Sequence, residues 1–308
     1  MRIIVMGQQA FGKDVLAKLL DTGVDEVVAV YCEPDKEGKP YDPIKEFALE
    51  RGMTVLQPKN FSDPSVINEV KLFDTDLMLM AFVNVFVPES VCSIPKYGSV
   101  CFHPSLLPLH RGPSAVNWPI IMGRKISGFS WFYPIDGLDE GDILFSRECT
   151  IEPDDTVIDL YFKKIYPAAV ESALEACELF RSGNPPRTEQ NEIFASYERR
   201  CTKKHAHIDW HKPVDQVYNL IRGTNPAPGA WTTCEEKIIS VFDSQLVAGD
   251  GISGRIVNIS DIGLTVQCIG GRILIKRVKP DGEDKKPAEF WANGVGLKVG
   301  DRLGNSWI

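Results

Sequence analysis

No stretch of these 308 residues is long and apolar enough to span a bilayer. The most apolar run, residues 77–87, falls short of the roughly 20 residues that a spanning helix needs, and it contains Asn84. Residues 1–7 (MRIIVMG) have no small-residue cleavage site and soon give way to polar residues. They read as a strand opening, not a signal peptide. The expected location is cytoplasmic, with no membrane partner. No Cys-x-x-Cys pair occurs among the eight cysteines, so the usual zinc and redox spacings are missing, and reduced, mostly buried thiols are expected. Only five histidines are present, and three of them, His205, His207 and His211, lie in a polar stretch without a carboxylate at ligand spacing. No metal is expected. The glycine pair Gly7 and Gly12 lacks the middle glycine of a dinucleotide fingerprint, which leaves a strand-to-helix turn as the better reading. Basic residues are also short. The net charge is -8, with 20 Lys+Arg against 30 Asp+Glu in residues 1–200 and 14 against 12 in residues 201–308. An acidic body argues against extended polyanion binding, and the mildly basic tail leaves a small opening for it.

What is present is an alternation of short apolar runs and helical patterns. Strands are expected at 2–7, 26–32, 54–58, 77–82 and 98–103, with helices over 11–23, 43–53 and 66–71 and a helical turn at 88–95. This alternation implies an α/β fold with a doubly wound, mostly parallel sheet. Further helices are expected at 114–123, over a long span near 155–181, and at 213–223. Strands at 127–136 and 143–149 flank the turn 137–142. From about residue 237, β-like runs separated by Gly and Asp suggest a small β-barrel. The expected organisation is a catalytic domain over 1–204, a linker over 205–236 and a C-terminal barrel over 237–308.

The segment 98-GSVCFHPSLLPLHRGPSAVNW-118 carries the chemistry. His103 ends a strand at the carboxyl edge of the sheet, where open α/β sheets bind ligands. The turn 136-DGLDEGDIL-144 offers Asp139 and Asp142. A carboxylate that orients an imidazole is a general acid/base arrangement. Asp139 could equally be a turn-former bonded to its own backbone. Arg111 either reaches an anionic ligand or locks its loop through backbone carbonyls, and the second reading is favoured. His110 is expected to face solvent.

These residues resemble a family. The string 103-HPSLLPLHRGPSAVNW-118 is similar to the His-x-Ser-Leu-Leu-Pro-x-x-Arg-Gly signature of enzymes that use 10-formyltetrahydrofolate. The turn at 136–144 resembles their Gly-Leu-Asp-Thr-Gly-Asp turn, with Glu140 in place of Thr. The segments 208-IDWHKP-213 and 221-IRGTNPAPGAW-231 resemble the family's passage into a C-terminal barrel. The resemblance implies a formyltransferase-type Rossmann-like domain with an OB-like barrel. It gives His103 and Asp139 catalytic roles, with Cys101 a third candidate. It implies substrate contacts at Phe82 and Asn84 in the pterin-side loop, at Ser105 and Leu106, and at Gly137 and Leu138. The donor would be 10-formyltetrahydrofolate, with neither metal nor nicotinamide cofactor.

One position departs from the pattern. Most transferases of the family read Asn-x-His, where this chain reads Cys101-Phe102-His103. A thiol is a weak donor, and a missing oxyanion donor costs on the order of 100-fold in rate. The hydrolase domain of 10-formyltetrahydrofolate dehydrogenase also lacks that Asn, and resemblance is strongest there. Water is therefore the expected acceptor, giving tetrahydrofolate and formate. A methionyl-tRNA or aminosugar nucleotide amine is the alternative, and an inactive folate-binding module is a third. Cys101 reads as a pocket wall, with a formyl-thioester nucleophile as the sharper alternative.

Overall fold

The computed structural model describes residues 1–304. The chain divides into two compact units, each built from separate stretches. Residues 1–112, 128–149 and 162–197 form the first, and residues 113–127, 150–161 and 198 onward form the second.

The first unit opens with β1 (Arg2–Gly7), α1 (Gln9–Thr22), β2 (Glu26–Tyr31), α2 (Pro43–Leu49) and β3 (Val55–Leu56). It continues with α3 (Pro64–Leu72), β4 (Leu77–Ala81), α4 (Glu89–Cys92) and β5 (Ser99–His103). After α5 (Asn117–Ile121), which is grouped with the second unit, come β6 (Ile126–Phe132), β7 (Ile143–Thr150) and α6 (Tyr166–Arg181). The seven strands run in the order β3-β2-β1-β4-β5-β6-β7. Strands β1 to β5 pair in parallel, and β6 runs antiparallel to β5, with Cys101 opposite Phe132 and His103 opposite Ser130. The parallel-dominated sheet agrees with the expectation. Its central strands are buried on both faces, which is why β1 and β4 read as unbroken apolar runs without alternation. Strand order reverses between β1 and β4, a switch point of the kind beside which open α/β sheets bind ligands at the carboxyl ends of their strands.

The glycine pair serves packing. A Cβ on Gly7 would stand 2.6 Å from the Ala81 carbonyl oxygen, and one on Gly12 would stand 3.0 Å from the Gly7 carbonyl carbon. Only glycines let α1 press this closely on the sheet. Two helices differ from expectation, each beside a proline. The long helix begins as a π-helix, Asp159–Ile165, because Pro167 has no N–H to donate to Lys163. The helix expected over 114–123 is only α5, with Pro119 inside it.

The second unit contains α5, α7 (Val214–Gly223), β8 (Ala230–Cys234), β9 (Lys237–Val247), β10 (Ile256–Ser260), β11 (Gly263–Cys268), β12 (Gly271–Pro280), β13 (Lys286–Pro287) and α8 (Ala288–Gly294). Its strands form an antiparallel sheet in the order β10-β11-β12-β9-β8, with β13 on β12. Among the described residues β10 and β8 are not paired with each other, so this pairing alone does not make a closed barrel. The stretch expected as a linker, 205–236, supplies α7, β8 and the core residues Ile208 and Trp210. The Trp210 indole N–H donates to Thr232 Oγ1 at 2.9 Å. No described helix is long and apolar enough to cross a membrane.

Candidate active site

His103 is buried at the carboxyl end of β5. Its ring is held from two sides. Nε2 lies 3.0 Å from the carbonyl oxygen of His110, and Nδ1 lies 3.5 Å from Oδ2 of Asp139. A carbonyl oxygen can only accept, so Nε2 carries the hydrogen. Nδ1 is then the ring nitrogen left without a hydrogen, and it is the one that faces the carboxylate. The Phe132 ring meets the imidazole edge-on, with centroids 6.5 Å apart.

The loop after His103 is fixed by its own polar groups. Ser105 donates its hydroxyl to the Leu109 carbonyl at 2.6 Å. Ser130 Oγ donates to the Ser105 carbonyl and accepts from the Leu107 N–H. His110 N–H donates to Ser196 Oγ, and Arg111 N–H to the Ser196 carbonyl. His110, expected at the surface, is buried, because its carbonyl is needed inward against His103. Ser105 is fully buried, with its hydroxyl hydrogen engaged by the Leu109 carbonyl of the same loop. Leu106 lies over Gly128, where an added Cβ would meet its Cδ2 at 2.7 Å.

Asp139 sits in the turn between β6 and β7 with φ 56. That left-handed conformation is uncommon outside glycine, and Asp tolerates it better than most residues. Its Oδ2 accepts from the Gly112 N–H at 2.9 Å as well as facing His103. Asp142, the other acidic candidate, points elsewhere and pairs with Arg187 at 3.2 Å. Gly137 is crowded by Glu140, whose Oε2 would stand 2.0 Å from an added Cβ, while Leu138 is exposed.

Cys101 shares the His103 face of β5 by strand alternation. Burial pushes its thiol well above the ordinary range, and the charge of Asp139 adds to the shift. A shift in that direction disfavours the thiolate that a formyl-thioester route needs. Phe82, just past β4, has φ 63, a strained conformation for a bulky side chain. It lines a small cleft with Gly7, Gln8, Cys32, Phe61 and Val83. The Gln8 side-chain nitrogen there is buried without a partner among the described residues, a donor available to a ligand. Asn84 is exposed in the same loop.

Arg111 is fully buried and ties its loop down, but through side chains and not through the backbone carbonyls expected. Its guanidinium donates to Gln190 Oε1 at 2.7 and 3.1 Å, to both Glu192 oxygens and to the Tyr197 hydroxyl. Gln190 and Tyr197 were missed by sequence reasoning, since neither lies in a motif. The three downstream histidines each have local surroundings: His205 accepts from Thr202 N–H, His207 packs at a tilt against Trp231 and His211 lies near Asp209. Among the described residues no group of three or more His, Cys, Asp or Glu could hold a metal.

Residues 1–171 match the family described as formyl transferase, and residues 200–296 match its C-terminal domain. Cytosolic 10-formyltetrahydrofolate dehydrogenase of Xenopus tropicalis is 40% identical over 253 residues, covering 80% of this chain and 28% of that protein. The chain thus spans little more than a quarter of that relative. Methionyl-tRNA formyltransferase of Ruminiclostridium cellulolyticum is 34% identical over 313 residues, covering 99% of this chain and 100% of the other. The crystal structure of an N-formyltransferase from Helicobacter canadensis, in complex with folinic acid and dTDP-3-aminofucose, has the same fold with a TM-score of 0.67. It is 18% identical and covers 89% of this chain and 98% of its own. With both domains matched and a full-length relative at this identity, the chain belongs to the formyl transferase family.

Proposed function

We propose that the enzyme hydrolyses 10-formyltetrahydrofolate to tetrahydrofolate and formate, with His103 and Asp139 as its acid–base pair. The observation that carries this reading is the His103 ring held between the His110 carbonyl and the Asp139 carboxylate. Nδ1 takes a proton from water as the water oxygen bonds to the formyl carbon. The carbonyl electron pair moves to the formyl oxygen. The imidazolium so formed faces Asp139, which offsets its charge. Nδ1 then returns the proton to N10 as the carbon–nitrogen bond breaks, leaving tetrahydrofolate and formic acid, which ionises. The cleft beside Phe82, with Asn84, Leu106, Gly137 and Leu138 on neighbouring loops, is the proposed place for the folate.

Water is favoured over an amine because Cys101 stands where most transferases carry the Asn that donates to the formyl oxygen. The 40% identity to a 10-formyltetrahydrofolate dehydrogenase supports the same choice. The rival reading is formyl transfer to an amine, favoured by the methionyl-tRNA formyltransferase relative that spans the whole chain. Incubation with 10-formyltetrahydrofolate alone separates the two. Formate release supports hydrolysis, and turnover only after methionyl-tRNA or an aminosugar nucleotide is added supports transfer. Tight folate binding without turnover in either case would identify a silent module.

A further inference from the structure

We infer that Gln190 is a positioning residue for Asp139, a role that rests on the acid–base reading above. Gln190 lies outside every motif, in an irregular stretch before Glu192–Phe194. Its side chain is buried and all its polar capacity is used. The amide nitrogen donates to the carbonyl of Asp139 at 2.8 Å and to that of Gly141 at 2.6 Å. The amide oxygen accepts two bonds from Arg111. These partners fix the orientation of the amide, since carbonyls only accept and a guanidinium only donates.

The consequence is geometric. Asp139 occupies a left-handed conformation that is not its ground state. Without a clamp on the backbone either side of Glu140, the turn could relax and carry the carboxylate away from Nδ1. Gln190 bonds the carbonyls on both sides of that residue. It ties them to Arg111, whose neighbour Gly112 donates its N–H to Asp139 Oδ2. The loop bearing His103 and the turn bearing Asp139 are thereby cross-linked through one amide. Arg111 and Gln190 set the spacing, and His103 and Asp139 use it.

Gln190→Glu is the discriminating variant. It keeps shape and the bond to Arg111, but a carboxylate cannot donate to the two turn carbonyls. Gln190→Met, with similar bulk and no polar group, is the second variant. Both are compared with wild type and Asp139→Asn for kcat and KM on 10-formyltetrahydrofolate, and for the His103 imidazole resonances by NMR. A displaced carboxylate should lower kcat by on the order of 100-fold with KM little changed. The His103 resonances should move toward those of Asp139→Asn. Wild-type resonances in a folded Gln190→Glu or Gln190→Met overturn the positioning role, whatever the acceptor. Loss of folding in both variants also overturns it, because Gln190 would then serve stability alone. Full turnover by Asp139→Asn is a separate failure, and it removes the acid–base reading itself.

Discussion

His103 Nε2 lies 3.0 Å from the carbonyl oxygen of His110, seven residues further along the same loop. The tautomer is therefore set by local backbone and not by a remote side chain. The loop's hydroxyl network, from Ser105, Ser130 and Ser196, holds that carbonyl in place. Ser130→Ala removes the bridge between the Ser105 carbonyl and the Leu107 N–H, leaving a buried donor unpaired at a cost of about 1–3 kcal/mol. The expected outcome is a lower urea midpoint together with reduced kcat. Unchanged values of both would mean the loop is held by other means.

Asp139→Asn should lower kcat by roughly 10²–10⁴-fold, the usual worth of acid–base assistance. The amide can still accept from Gly112 but no longer balances an imidazolium. Steady-state kinetics check this, with circular dichroism to show that the turn is intact.

Cys101→Ser should leave kcat within a few fold on the acid–base reading, since burial pushes the thiol well above its ordinary range and away from the thiolate a nucleophile needs. Cys101→Asn restores an amide donor and should raise the rate, with a ceiling on the order of 100-fold. A Ser variant without activity would reinstate the nucleophile.

Gly7→Ala tests the close packing at the carboxyl end of β1, where Gly7 pairs with Ala81 of β4. The new methyl would stand 2.6 Å from the Ala81 carbonyl. Overpacking of this kind costs about 1–3 kcal/mol and should also disturb Phe82, the next residue. A lowered Tm with weaker folate binding is expected, and a wild-type Tm would contradict the account.

Buried thiols give a pH dependence of known sign. Burial pushes Cys32, Cys177 and Cys268 from an ordinary 9.0 up to about 12. Below pH 9 these thiols are protonated in folded and unfolded chains alike, and their contribution is fully present. Above it the unfolded chain releases protons that the folded chain keeps. Stability should fall by up to about 1.4 kcal/mol per pH unit per thiol until pH 12. Urea midpoints between pH 8.5 and 11 measure this, and Cys177→Ala should flatten the slope. A flat wild-type profile would contradict the burial.

Much of this was legible in the sequence, for reasons that differ by element. The parallel strands showed as unbroken apolar runs because both sheet faces are covered. His103 and Asp139 were visible because each sits in a short motif at a strand end. The antiparallel direction of β6 left no mark on its residues, since strand alternation looks the same either way. The π-helix was hidden because Pro167 is as compatible with a helix start as with a widened turn. Gln190 and the buried face of His110 were out of reach because their roles come from backbone carbonyls, which carry no residue identity.

The most direct test of the central claim is formate release from 10-formyltetrahydrofolate with no amine present, wild type against His103→Ala. The account predicts formate and tetrahydrofolate in equal amounts from wild type, and no turnover by the variant, which should still bind folate. Equal formate release by the two proteins would contradict it.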